Sequence, residues 1–77
     1  MGLPTRIGLT KREDNIVIST VEPLFWAWYG KYETAISIDG EAWNIAEGYE
    51  TAKQAVKGHE KYENMSKEEL MNLEFIG

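Results

Sequence analysis

Seventy-seven residues with a formal charge of −5 and no cysteine leave room for one domain, residues 1–77, without disulfides or thiolate-held metals. A chain this short buries only about 60% of its unfolded surface, so its core must come from dense apolar packing, with self-association as a further source of burial. The acidity disfavours general nucleic-acid binding, whose electrostatic footprint is basic, and suits docking onto a basic partner surface.

No run approaches the roughly 18 apolar residues of a membrane span. Met1-Gly2-Leu3-Pro4 lacks the charged and apolar regions of a signal peptide, and Arg6 breaks the pattern for acylation at Gly2. A cytoplasmic protein without membrane contact is the expectation.

In chain order, Thr5 to Thr10 is a strand candidate with Ile7 and Leu9 on one face, weakened by Gly8. Lys11 to Asn15 is a charged turn in which Asp14 and Asn15 tolerate unusual backbone angles. Ile16 to Val21 is the strongest strand, β-branched at almost every position, with Ile16, Ile18 and Thr20 on one face. Apolar residues on both faces suggest a central strand, ended by Pro23. Leu24 to Tyr29 is the most apolar window, and periodicity does not decide between strand and ordered loop there.

Tyr32 to Ile38 alternates, with Tyr32, Thr34, Ile36 and Ile38 against Glu33, Ala35 and Ser37. Asp39-Gly40 is the preferred type I′ hairpin turn. A two-residue turn pairs Ile36 with Trp43 and Thr34 with Ile45, all on the buried face. Thr51 and Gln54 then form a T-x-x-Q capping box. The helix that begins at Ala52 and ends at Asn64-Met65 is expected to bury Ala52, Ala55, Val56, His59 and Tyr62. Gly58 costs roughly 1 kcal/mol there relative to alanine, which hints at close approach to the sheet. Ser66 with Glu69 is a second capping box, and Met65 with Leu70 a hydrophobic staple, for a short helix over Lys67 to Leu73. Phe75 and Ile76 are expected to pack back. Strands before helices indicate α+β: an antiparallel sheet of three to four strands, covered on one face by a helix, with a short C-terminal helix.

Ile18-Ser19-Thr20-Val21, then Tyr32-Glu33-Thr34, then Tyr49-Glu50-Thr51 leading into Gln54-Ala55-Val56-Lys57-Gly58-His59-Glu60, resemble blocks of a group of small bacteriophage-encoded proteins without a settled activity. The likeness covers about Ile16 to Tyr62. Two departures stand out: the compact aromatic stretch Glu22 to Lys31, where similar proteins often carry a longer glycine-rich loop, and the tail after Asn64. The resemblance implies an early or accessory phage protein acting in the host bacterial cytoplasm.

No catalytic or metal motif accompanies it, and no cofactor is implied. A lone histidine is a poor start for a zinc site. His59 reads first as a packed core histidine. The sharper reading faces it to a pocket with Ser19 or Thr20 and Glu33, a composition from which a Ser–His–carboxylate set is conceivable, though no nucleophile elbow or oxyanion signature is present. Trp26, Trp28 and Tyr29 are contact candidates, since Trp and Tyr anchor interfaces, or else they complete a core or a homodimer seam. Glu41, Glu47, Glu50, Glu60, Glu63, Glu68, Glu69 and Glu74 form a solvated acidic set or a surface competing for a basic cleft.

These features point to a non-enzymatic protein that binds and inhibits a host factor, such as an antiviral defence component. One alternative is an oligomeric sponge that sequesters a nucleotide signal with Arg6, Lys11, Arg12 and Lys31 beside stacking aromatics. Another is a structural subunit of a phage assembly.

Overall fold

A computed structural model describes residues 5–23 and 30–77. The aromatic window Leu24 to Tyr29, with Trp26, Trp28 and Tyr29, lies outside the described residues. Four strands, β1 (Thr5–Lys11), β2 (Ile16–Glu22), β3 (Tyr32–Ile38) and β4 (Asn44–Tyr49), form an antiparallel meander in the order β1-β2-β3-β4. Two helices follow, α1 (Ala52–Glu63) and α2 (Lys67–Met71), and α1 packs against all four strands. The fold is therefore α+β, as the order of elements implies.

The alternation of β2 and β3 sets the inner face. Ile16, Ile18 and Thr20 are fully buried, and Ile18 pairs with Ile36 and Thr20 with Thr34. Tyr62 of α1 and Leu70 of α2 complete the apolar cluster, with Ile38, Ala46, Met65, Leu73 and Phe75 around it. On β1 the inner face belongs to Gly8 and Thr10, paired with Thr20 and Ile18. Ile7 is the extra residue of a bulge, and Leu9 turns outward, 40% exposed. The glycine that weakens this strand is the residue the packing requires. A Cβ at Gly8 would lie 2.9 Å from His59 Nε2.

The hairpin turn forms as its dipeptide dictates. Asp39 and Gly40 take φ of 53° and 77°, and Glu41 N–H donates to the Ile38 carbonyl at 3.0 Å. The expected register does not follow. Ile36 opposes Asn44, Ala35 opposes Ile45 and Thr34 opposes Glu47. Residues 41–43 leave the ladder, held by Ser37 Oγ donating to the Glu41 carbonyl at 2.7 Å, and Trp43 is 51% exposed. A second extra residue, Ala46, enters at a bulge between Thr34 and Ala35. Two insertions restore the alternation, so Glu47 and Tyr49, instead of Trp43 and Ile45, meet α1.

Both capping boxes are complete, Thr51 with Gln54 and Ser66 with Glu69. The buried stripe of α1 is Ala55, Gly58, His59 and Tyr62; Ala52 is exposed and Val56 is 46% exposed. The helix turns its glycine toward the sheet, and the Tyr49 phenol fills the space a Cβ at Gly58 would need. Helix α2 is shorter than expected, ending at Met71, which is exposed.

The turns grip the helices. Arg12 Nη1 donates to the Met65 carbonyl at 2.6 Å while its other guanidinium nitrogens hold Asp14, so it occupies carbonyls at the C-terminal end of α1. The bond from Arg12 holds the Asp14 carboxyl below its ordinary value. Lys67 Nζ reaches the Asp14 carbonyl at 3.0 Å and Asp39 at 2.7 Å. The tail returns to β4: Ile45 N–H donates to Gly77 at 2.6 Å, and Ile76 N–H donates to Ile45 at 2.8 Å.

Candidate functional site

His59 is the seventh residue after the expected helix start, and its position on α1 brings its ring down between β1 and β2. It is 7% exposed. Its Nδ1 lies 2.7 Å from Thr20 Oγ1 and its Nε2 lies 2.9 Å from Thr10 Oγ1. Thr10 also donates to Glu63 Oε2 at 2.5 Å, one turn further along α1, and that carboxylate lies 3.9 Å from His59 Nε2. On the other side Thr20 meets Thr34 at 2.5 Å, and Thr34 meets the Tyr49 hydroxyl at 3.0 Å. Tyr49 stands 3.4 Å from Glu47 Oε1. One polar chain thus runs from Glu63 to Glu47 beneath the helix, drawing on every strand.

Its Glu47 end is the more heavily charged. Glu47 Oε1 accepts from Lys61 Nζ at 2.7 Å and from the Tyr62 hydroxyl at 3.0 Å. Partial burial pushes the Glu47 carboxyl up, but the bonds from Lys61 and Tyr62 more than offset it, and the net shift is downward. Burial pushes the Tyr49 phenol up to about 12, and burial with the neighbouring Glu47 charge raises Tyr62 as well. Among the described residues no buried side-chain nitrogen or oxygen lacks a partner. Such a chain is costly to form partly and rigid when complete.

Beside Glu47 the surface dips into an open groove of about 430 Å³ between β4 and α1, lined by Glu47, Tyr49, Gln54, Lys57, Gly58 and Lys61 among others. Its floor is the Tyr49 ring against Gly58.

Of the residues expected around His59, Thr20 is present. Ser19 and Glu33 are not, because strand alternation puts both on the opposite face of the sheet, where Ser19 pairs with Ala35 and Glu33 with Val21. Burial pushes the Glu33 carboxyl up. The conceivable Ser–His–carboxylate set is therefore not assembled, and both ring nitrogens of His59 are taken by threonine hydroxyls. Thr10 and Glu63 beside the ring, and Thr34, Tyr49 and Glu47 further along the chain, were not foreseen. A readable signal did exist. Two threonines alternate with isoleucines on the inner faces of β2 and β3, and Glu63 follows His59 at i+4.

Among the described residues no cluster of three or more His, Asp or Glu could hold a metal ion. No helix of those residues is long and apolar enough to cross a membrane. Of the cations considered for a nucleotide, Arg12 is engaged by Asp14 and by helix carbonyls, whereas Arg6 and Lys11 are exposed. Scans against protein-family models, curated proteins and solved structures found no match to this chain.

Proposed function

We propose that this chain is a non-enzymatic phage accessory protein that docks on a host protein with a basic surface, in the bacterial cytoplasm, and inhibits it. An antiviral defence component is the kind of target this reading favours. The setting rests on the sequence resemblance and the sign of the partner surface on the net charge of −5. The observation that carries the reading is Trp43. It is half in solvent on a segment that leaves the sheet, with exposed Glu41 two residues before it. A large aromatic with an acidic neighbour is the composition of an interface anchor and its rim.

The test is affinity capture from bacterial lysate with cross-linking, wild type against Trp43→Ala and Glu41→Lys. The expected result is one basic protein held by the wild type. Its affinity should fall about tenfold or more in Trp43→Ala, as for an interface anchor, with the variant still folded at the assay temperature by circular dichroism. Glu41→Lys and added salt should weaken capture by less. Equal capture by Trp43→Ala removes this reading. A co-purifying nucleotide in the native mass spectrum, without a protein partner, replaces it with the sequestering sponge.

A further inference from the structure

The chain from Glu63 to Glu47 has six links: Glu63–Thr10, Thr10–His59, His59–Thr20, Thr20–Thr34, Thr34–Tyr49 and Tyr49–Glu47. Both ends are carboxylates, which only accept. Thr10, Thr20, Thr34 and Tyr49 bring one proton each, and a neutral imidazole brings one more. Five protons cannot fill six links. Five of the links measure 2.5 to 3.0 Å, and the sixth, Tyr49 to Glu47, measures 3.4 Å. Its acceptor already holds Lys61 and Tyr62.

We infer that the chain is a reversible hydrogen-bond relay, in which hydroxyl rotation and not proton transfer couples protonation of His59 to Glu47 at the wall of the α1–β4 groove. With a neutral ring the proton sits on Nε2. Tyr49 donates to Thr34, Thr34 to Thr20 and Thr20 to Nδ1, while Nε2–H donates to Thr10 and Thr10 to Glu63. A proton added at Nδ1 makes that atom a donor. Thr20, Thr34 and Tyr49 then rotate in turn, each accepting from its former acceptor, and the Tyr49 hydroxyl closes onto Glu47. All six links are filled, no heavy atom need move far, and the half of the chain ending at Glu63 is unchanged. The added proton comes from solvent and returns there.

Among the described residues, the charged and titratable groups facing the ring are these. Helix α1 presents Glu63 at 3.9 Å, with Tyr62 and Lys61 acting at Glu47. Strand β4 presents Glu47 and Tyr49 through the chain. Strands β1, β2 and β3 present Gly8, Thr10, Thr20 and Thr34, none of which titrates in water. The consequence for the groove is direct. A ligand anion that draws Lys61 away from Glu47 leaves that carboxylate short of a donor, and the relay supplies one by taking up a proton at His59.

The protein has a single histidine, so its ring nitrogens are identifiable without assignment ambiguity. Long-range ¹H–¹⁵N correlation on the labelled full chain across a pH series is the test. The neutral ring is expected to carry its proton on Nε2. The Tyr49 ring and Glu47 carboxyl signals should shift in step with protonation of His59. In Tyr49→Phe, and in Thr34→Val if it folds, the Glu47 signal should no longer follow the ring; Thr34→Ser should restore it. A neutral ring protonated on Nδ1, or a Glu47 signal that follows His59 equally in Tyr49→Phe, overturns the relay.

Discussion

Two neighbouring cross-strand rows lie under the same helix and hold it by different physics. In one, Ile18 opposes Ile36, and Tyr62 and Leu70 close over them. In the next, Gly8, Thr20, Thr34 and Glu47 line up across all four strands beneath His59 and Tyr49. The first row is non-directional, so it tolerates shape-conserving change and supplies burial. The second supplies little net energy per bond but fixes which residue lies over which, since any slip strands a buried donor or acceptor. A domain this small takes stability from the one and register from the other.

The sharpest way to break the contrast is to empty the apolar row. Ile36→Ala removes a fully buried side chain and should cost about 2–5 kcal/mol, read as a lower denaturant midpoint at unchanged slope. Thr20→Val keeps the shape of the polar row and removes its central hydroxyl. It leaves His59 Nδ1 and Thr34 without that partner and should cost about 1–3 kcal/mol, whereas Thr20→Ser, which keeps the oxygen, should cost less. Thr51→Ala touches neither row and loses only the α1 cap, about 1 kcal/mol by the same measurement.

A pH series separates the rows as well. The Tyr49 phenol is pushed up to about 12, whereas an unfolded tyrosine ionises near about 10. Across that interval the unfolded chain releases a proton that the folded one keeps, so stability falls as pH rises. Tyr49→Phe should flatten the alkaline limb of the melting curve. Ile36→Ala should lower the whole curve without changing its slope there.

Most of the fold is legible in local chemistry. The alternation of Ile16, Ile18 and Thr20, the Asp39-Gly40 turn and the two capping boxes each act within a few residues and keep their form whatever surrounds them. The register of β4 was not legible. A type I′ turn specifies its own four residues, but Ser37 captures the Glu41 carbonyl, one extra residue enters the connection before β4, and Ala46 enters the strand itself before the alternation resumes. The stripe of α1 was half legible: hydrophobicity favours Val56, but the steric demand of Tyr49 selects Gly58.

The site divides in the same way. That His59 faces inward follows from its spacing after Ala55 on a capped helix, and Thr20 follows from strand alternation. The rest of the chain, Thr10 and Glu63 on one side of the ring and Thr34, Tyr49 and Glu47 beyond Thr20 on the other, comes from three strands and the helix itself.

The amino-acid order by itself determined the α+β class, the turn at Asp39-Gly40, the ends of α1 and the inward side of β2, because each depends on contacts only a few residues apart. Only the tertiary structure decided that Trp43 stands in solvent, that Gly8 lies against the His59 ring, and that two carboxylates 16 residues apart in α1 and β4 terminate one hydrogen-bond chain. Those outcomes depend on where bulges enter and on which ring occupies a given space, and neither is a property of any short stretch of chain.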